Sequence, residues 1–133
     1  MRTSVPQTAL RIKNAQHGTQ LYDNKDKGLI PWKETTNPDG FWYITPMSPR
    51  HYKIKNQLTG NALYYNTAKK LPISWRDTSN DDGLWEIIPQ ATGGKFKIRN
   101  VLTPEAYLYH SIDQGLTGGL DSAGEDCLWT FSA

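Results

Sequence analysis

The stretch Tyr52-Lys-Ile-Lys-Asn56 decides the fold, because the sequence contains it three times in closely similar form. The other copies are Leu10-Arg-Ile-Lys-Asn14 and Phe96-Lys-Ile-Arg-Asn100. A tryptophan follows each copy, and the spacing between these tryptophans is 43 and then 44 residues: Trp42, Trp85 and Trp129. Six apolar positions recur in all three copies. A period of this length is typical of repeat proteins, whose units bury their apolar faces against one another.

Length and composition limit the chain to a single small domain. With 133 residues, it can bury about two thirds of the surface of its unfolded chain. Its net charge of +2 is too small to attract a polyanion or a membrane by charge alone. No apolar run reaches the roughly 18 residues of a membrane span, so we expect no membrane insertion.

The sequence carries few signals of an oxidising compartment. A single cysteine, Cys127, leaves no internal disulfide, and Met1-Arg-Thr-Ser-Val-Pro6 lacks the apolar core of a secretory signal. We therefore expect a cytoplasmic protein, or one released without a signal peptide. A processed secreted form stays open as an alternative, because it would show the same features.

Alternating apolar and polar residues predict four short strands in each copy and no helix. The predicted strands are residues 9–14, 20–24, 29–33, 41–45, 51–56, 62–66, 71–75, 84–88, 95–100, 107–110, 115–120 and 128–132. Residues 1–8 form an N-terminal arm, and residues 9–133 form one domain with repeats of approximately 9–50, 51–94 and 95–133. A propeller needs at least four blades as a rule. Three copies therefore favour an all-β chain closed into a threefold barrel.

The repeats resemble those of the β-trefoil fold and, within it, of the ricin-B-type lectins of fungi and bacteria. The resemblance rests on the repeated tryptophans and covers residues 9–132. It implies that the first and fourth strands of each repeat build a six-stranded barrel, while the middle two form a hairpin cap. The family's repeat ends in Gln-x-Trp, whereas here Gly40, Gly83 and Cys127 stand in the place of the Gln.

Two further tryptophans, Trp32 and Trp75, are candidates for ligand contact. They follow Leu29 by three residues and Leu71 by four, whereas the third repeat has Gly118-Gly-Leu120 at this place. A core position is filled in every repeat, but a binding site need not be. An exposed indole offers a flat face on which sugar C–H groups stack, and the resemblance implies that an aromatic on this hairpin forms one wall of each sugar pocket. Packing between hairpins is the alternative.

Hydrogen-bonding partners for sugar hydroxyls are harder to place. The resemblance implies an Asp directly after the Leu of the second strand, where this chain has tyrosines that we interpret as packing residues: Tyr22, Tyr64 and Tyr109. Asp23 comes one residue late, and such a shift turns a side chain to the opposite face of a strand unless a bulge intervenes. The candidate carbohydrate-binding residues are Asp23, Asn24, Trp32, Asn66, Trp75 and His110. We expect pockets in the first two repeats and a degenerate third.

Neither a polyanion site nor catalysis has much support. Six cations flank the inward Ile of the first strands, and we expect them on a solvated strand face with no nucleic-acid partner: Arg11, Lys13, Lys53, Lys55, Lys97 and Arg99. The histidines fall at non-equivalent places of the repeats: His17, His51 and His110. Cys127 lies two residues before a core tryptophan, where a thiol is usually inert. We predict a protein that is not an enzyme and has no cofactor or metal.

The sequence therefore predicts a lectin whose partners are the glycans of glycoproteins or glycolipids, and the resemblance adds the expectation of a homodimer. Two alternatives stay open. A trefoil protease inhibitor, similar to the Kunitz-type soybean inhibitors, would act through an exposed loop at residues 45–51 or 103–106. A protein-binding adaptor or a haemagglutinin subunit is the other alternative.

Overall fold

The computed structural model of the protein describes residues 8–24, 28–33, 35–77, 80–91, 93–111, 115–119 and 125–133. Twelve strands make up most of it. In chain order they are β1 (Arg11–Asn14), β2 (Gln20–Asn24), β3 (Gly28–Trp32), β4 (Trp42–Ser48), β5 (His51–Asn56), β6 (Ala62–Asn66), β7 (Leu71–Trp75), β8 (Trp85–Pro89), β9 (Phe96–Asn100), β10 (Tyr107–Ser111), β11 (Gly115–Gly119) and β12 (Trp129–Ser132). The predicted arm up to residue 7, and Leu120, lie outside the described residues.

The predicted strands agree with the observed ones to within two residues at each end, except that β4 continues three residues further, to Ser48. The prediction of no helix is wrong at three short segments. One turn of 3₁₀ helix precedes the last strand of each repeat: Pro38–Gly40, Asp81–Gly83 and Glu125–Cys127. Asp39 and Asp82 lie in the first turn of their segments, where exposed backbone N–H groups favour a carboxylate.

Six strands form a closed barrel. β1 pairs with β12, β12 with β9, β9 with β8, β8 with β5 and β5 with β4, all antiparallel. An isolated bridge between Leu10 and Trp42 joins the start of β1 to β4 and closes the ring. These are the first and fourth strands of each repeat, so the prediction of a six-stranded threefold barrel is confirmed.

The remaining strands form three hairpins, β2–β3, β6–β7 and β10–β11, which contact one another as a cap. Leu29, Leu71 and Leu116 lie eight residues after the second-strand Leu of their repeats, which implies that they are equivalent. The register of the hairpins corrects this expectation. Leu29, Pro72 and Leu116 stand opposite the residue two after the second-strand Leu in each repeat. Leu71 lies one residue outside this alignment, because the β6–β7 hairpin has a longer turn than a constant spacing implies. Pro72 is buried in its place.

The repeated tryptophans fill the core. Trp42, Trp85 and Trp129 are buried, together with the inward isoleucine of each first strand. Each indole Nε1 donates to the carbonyl of a second-strand leucine, at 2.9 Å to Leu21, 2.8 Å to Leu63 and 3.0 Å to Leu108. The prediction that these tryptophans are core residues is confirmed. Their hydrogen bonds also tie each hairpin to the barrel.

The asparagine that ends the opening stretch joins successive repeats. Asn56 is buried, and its Oδ1 accepts the N–H groups of Leu58 and Thr59 at 3.0 and 3.1 Å. Its Nδ2 donates to the carbonyl of Asp39 in the preceding repeat at 2.9 Å. The same two kinds of contact recur at the other repeated asparagines, Asn14 and Asn100. A buried side chain that satisfies both a turn and a 3₁₀ segment explains why the stretch ends in Asn each time.

The cations of the first strands are half-buried, and the expectation of a solvated strand face is wrong for those that form ion pairs. Lys53 Nζ lies 2.6 Å from Asp77 Oδ1, and Lys55 Nζ lies 3.3 Å from Oδ2 of the same carboxylate. The hydrogen bond from Lys53 is the main reason that the pKa of Asp77 lies below its ordinary value. Arg99 Nη2 lies 2.7 Å from Glu86 Oε1 on strand β8.

The segment considered first for protease inhibition is largely strand. Residues 45–51 lie mostly in paired structure, because β4 pairs with β5 as far as Ser48 opposite His51. The turn between the strands consists of Pro49 and Arg50. The candidate inhibitor loop at residues 45–51 is therefore a two-residue turn between paired strands. None of the helices in the described part of the chain has the length and apolar character needed to cross a membrane.

Candidate functional site

The two hairpin tryptophans occupy equivalent places, and both are exposed. Trp32 ends β3 opposite Gln20, and Trp75 ends β7 opposite Ala62, so both stand at the same register of their hairpins. Their exposed fractions are 55% and 58%. Side chains that filled gaps between hairpins would be buried, so the exposure argues against the packing alternative.

The second-strand tyrosines hold the backbone beside these tryptophans. Tyr22 is buried and donates its hydroxyl to the carbonyl of Lys33 at 2.8 Å. Tyr64 is buried and donates to the carbonyl of Arg76 at 3.0 Å. Lys33 and Arg76 directly follow the two tryptophans. The interpretation of Tyr22 and Tyr64 as packing residues is confirmed, and they also fix the chain next to each exposed indole.

An open cavity of about 580 Å³ lies beside Trp75. Its walls come from strands β6 and β7, the 3₁₀ segment that follows them and the turn after β9. Six of its lining residues carry the groups that a ligand could contact: Asn66, Trp75, Arg76, Asn80, Asp82 and Leu102. The volume falls within the roughly 300–1,000 Å³ of small-molecule sites.

Polar groups in this cavity have unused hydrogen-bonding capacity. Asn66 Oδ1 accepts the N–H of Lys69 at 3.0 Å, whereas Asn66 Nδ2 makes no hydrogen bond within the described residues. Asp82 Oδ1 is buried and finds no donor there either. The exposed Arg76 side chain forms no ion pair with a described residue. The cavity can therefore offer an amide donor and a guanidinium to a polar ligand, and Asp82 forms part of its wall.

Leu102 was missed by sequence analysis. It belongs to the third repeat and is 56% exposed, so the cavity lies between two repeats and has apolar surface from both. Leu58, at the equivalent turn of the second repeat, is 53% exposed, while the first repeat has Gln16. Two of the three repeats have a leucine two residues after the repeated asparagine. This pattern is the signal that could have identified Leu102.

Asp23 faces the next repeat and does not line the Trp75 cavity. Its side chain is 3% exposed and accepts hydrogen bonds from the Thr59 hydroxyl, from Asn61 Nδ2 at 2.9 Å and from the Ser74 hydroxyl at 2.6 Å. Three donors occupy the carboxylate, so it has little capacity left for a sugar. Successive side chains point to opposite faces of a strand, so the one-residue shift turns Asp23 to the other face, as predicted.

His110 also contacts a neighbouring repeat. Its Nδ1 lies 2.7 Å from the Thr19 hydroxyl, and its carbonyl lies 3.1 Å from His17 Nε2. The two imidazole rings meet edge to face with centroids 4.5 Å apart. Burial, and then the nearby His17, lower the pKa of His110, while Asp126 acts in the opposite direction. Asn24 ends β2 opposite Gly28 and is half-buried. The structure therefore brings Asn66 and Trp75 together, but places His110 and Asp23 at contacts between repeats.

Comparison with known proteins bears on the fold. No protein-family model and no curated protein sequence matches the chain. A designed threefold-symmetric protein, ThreeFoil, has a similar structure, with a TM-score of 0.84, 14% identity and coverage of 94% of this chain and 98% of that one. The BEL β-trefoil has a TM-score of 0.81 at 16% identity, with coverage of 98% and 96%. The fold is a β-trefoil. SeviL, solved with the asialo-GM1 saccharide, has a TM-score of 0.79 at 21% identity, with coverage of 96% and 98%.

In its first two repeats, this chain has no room for a glutamine two residues before the core tryptophan. A Cβ added at Gly83 would overlap the ring of Tyr64, and one added at Gly40 would lie 2.6 Å from Gln20 Nε2. Gln20 is itself buried and donates to the Gly40 carbonyl at 2.6 Å. Cys127, the third residue of the set, is a buried thiol. Larger neighbours therefore occupy the space that a glutamine side chain would need in the first two repeats.

The described part of the β-trefoil assembles no group of three or more metal-binding side chains. Among the described residues, three carboxylate oxygens are buried and find no hydrogen-bond partner there: Asp39 Oδ1, Asp82 Oδ1 and Asp126 Oδ1. They lie one in each repeat, at the same position of the 3₁₀ segment. This arrangement follows the symmetry of the fold and does not form a pair for general acid–base chemistry.

Proposed function

We propose that this β-trefoil is a lectin without catalytic activity, and that its main sugar site is the cavity at Trp75. The observation that carries the proposal is the exposed Trp75 indole beside a cavity with unused hydrogen-bonding groups. A sugar ring has an apolar C–H face and a rim of hydroxyls. It therefore needs a flat aromatic surface and polar groups in one place.

Each part of a sugar ring has a counterpart in this cavity. The indole of Trp75 and the side chain of Leu102 cover its apolar surface. Asn66 Nδ2 donates to one hydroxyl. The guanidinium of Arg76 offers further donors at the rim. SeviL, a similar fold solved with a bound saccharide, supports the class of ligand but not its identity.

The first repeat carries a second site in this proposal. Trp32 is equivalent to Trp75 by strand register, and Asn24 lies on the same hairpin, beside residues 25–27 that are outside the described part of the chain. The third repeat has Gly119 at this register and no aromatic wall. Two sites per chain suit glycans displayed on glycoproteins or glycolipids, because linked weak sites bind such surfaces with increased avidity.

A glycan array tests the proposal with the wild-type protein and the variants Trp75→Ala and Trp32→Ala. Met47→Ala is the matched control, because Met47 is an exposed apolar side chain on barrel strand β4. A tryptophan that a ligand covers on binding contributes about 2 kcal/mol, which corresponds to roughly thirtyfold in affinity. We expect Trp75→Ala to reduce binding by about that factor and Met47→Ala to leave it unchanged.

A wild-type protein that binds no glycan on the array contradicts the proposal. So do signals that survive both tryptophan substitutions in variants with an intact circular dichroism spectrum. Mass spectrometry of the strongest array glycan after incubation tests the absence of catalysis, since a glycosidase would release a shorter product.

A further inference from the structure

A second cavity, of about 540 Å³, adjoins the one at Trp75. The two share Tyr65 and Thr67 as lining residues, so they meet along the hairpin of the second repeat. The second cavity continues to Lys70 on the hairpin turn and to Glu105 in the third repeat. Both lie at the boundary between the second and third repeats, and we call this pair of adjoining cavities the groove.

The residues around the second cavity differ from their equivalents at the boundary of the first and second repeats. At the boundary of the first and second repeats, Asp23 accepts hydrogen bonds from Asn61 and Ser74 and fills the space. Strand register places Gly118 at the position of Ser74, and the turn hydrogen bonds place Ala106 at that of Asn61. Neither replacement has a polar side chain. Tyr65 extends into this space, and the second cavity lies beside its ring.

Tyr65 takes the place of Asp23 at this boundary and forms the wall that both cavities share. Its ring packs on Gly118, where an added Cβ would overlap it. Its hydroxyl makes no hydrogen bond within the described residues. Burial, and then the charge of Glu105, raise the pKa of Tyr65, so its hydroxyl stays protonated as a donor.

Lys70 has a left-handed backbone conformation. Its φ is 56°, and the other described residues with positive φ are glycines. Glycine adopts this region without cost, whereas lysine is strained there, and such strain is concentrated at functional positions. The Lys70 side chain is exposed, lines the second cavity and forms no ion pair with a described residue. Its ammonium group is therefore available to a ligand.

We infer that the groove binds an oligosaccharide, with one sugar residue on Trp75 and the next in the second cavity against Tyr65, Lys70 and Glu105. This inference rests on the proposed lectin function. The ammonium and the carboxylate make charge-assisted hydrogen bonds to hydroxyls of the second sugar.

Calorimetry with a sugar and its longer oligomers tests the inference. The array selects the series: N-acetylglucosamine with chitobiose and chitotriose, galactose with galactobiose and galactotriose, or mannose with mannobiose and mannotriose. In a Trp32→Ala background, which leaves only the groove, we expect the disaccharide to bind about tenfold more tightly than the monosaccharide, equivalent to about 1.4 kcal/mol. Lys70→Gly removes the amine and relieves the positive φ, so the fold is retained while the disaccharide advantage decreases. Glu105→Gln is expected to decrease it as well.

Lys69→Ala is the matched control, because it removes the same charge from the same turn at a residue that does not line the second cavity. It should leave the disaccharide-to-monosaccharide ratio unchanged. A ratio near one in the Trp32→Ala protein, with monosaccharide binding intact, overturns the second subsite but leaves the lectin proposal standing. A ratio that persists in both Lys70→Gly and Glu105→Gln overturns the assignment of these residues. No binding of any series by the wild-type protein overturns the inference and the proposed function together.

Discussion

The carboxylate of Asp23 accepts a hydrogen bond of 2.6 Å from the hydroxyl of Ser74, the residue immediately before the exposed Trp75. The contact joins the hairpins of the first and second repeats across 51 residues of sequence. Thr59 and Asn61 donate to the other oxygen of the same carboxylate. An acidic residue that sequence analysis considered for sugar binding thus holds the strand that carries the exposed tryptophan.

Asp23→Ala should destabilise the protein, because it leaves three half-buried donors without their buried acceptor. The expected loss in the free energy of unfolding is about 2–4 kcal/mol, measured by urea denaturation. Asp23→Asn should lose less, since an amide still accepts one or two of the hydrogen bonds. Asp81→Asn, at an exposed aspartate, is the control and should change stability by less than about 0.5 kcal/mol. An Asp23→Ala protein as stable as the control would show that this cluster does not stabilise the fold.

Asp77 should make stability depend on pH in acid. Its pKa lies below the ordinary value of 3.8, chiefly because of the hydrogen bond from Lys53, so the folded state binds fewer protons than the unfolded state. The stabilisation is present above the ordinary pKa and is lost as the pH falls through the lowered one. The carboxylate is about a third exposed, so Asp77→Asn should cost at most about 1 kcal/mol at pH 7.

Urea denaturation of wild type and Asp77→Asn at several pH values measures this difference. The two proteins should converge as the pH falls through the lowered pKa of Asp77, because the wild-type carboxyl then becomes protonated. High salt should reduce the difference at pH 7, because exposed ion pairs are screened. A difference that is independent of both pH and salt would mean that Asp77 acts through packing rather than through charge.

His110 should weaken the fold as the pH falls below neutrality. Burial and the neighbouring His17 lower its pKa, so the unfolded state binds more protons than the folded state just below the ordinary value of 6.5. Stability is therefore full above the ordinary pKa and decreases as the pH falls from it toward the lowered value. His110→Gln should lose less stability between about pH 7 and pH 5 than the wild type does. His51→Gln is the control for removing a histidine, and an equal effect of both variants would contradict this role for His110.

The barrel could be predicted from the sequence because its determinants are local and repeated. Trp42, Trp85 and Trp129 recur at a nearly constant spacing, and the alternation in each strand shows which face is buried. The sequence pattern wrongly aligns Leu71 with Leu29, because the constant spacing hides the extra residue in the β6–β7 turn. Strand pairing corrects it by placing Trp32 and Trp75 at the same register.

The candidate site was only partly predictable, because its composition depends on contacts between repeats. The exposure of the hairpin tryptophans followed from their absence in the third repeat. The roles of Asp23 and His110 could not be predicted from the sequence, since each is fixed by side chains from another repeat. The groove is also non-local, because Tyr65 of the second repeat and Ala106 and Gly118 of the third line it together. Only the assembled hairpin cap brings these positions together.

Leu102 should contribute to sugar binding although it lies in a different repeat from Trp75. In a Trp32→Ala background, where only the groove remains, Leu102→Ala should weaken binding of the best array glycan by about fivefold. This corresponds to about 1 kcal/mol, the value for covering roughly 40 Å² of apolar surface. Leu58→Ala is the matched control, because it removes an equally exposed leucine at the equivalent turn. Equal losses from both leucines, or no loss from Leu102→Ala, would place the sugar within the second repeat alone.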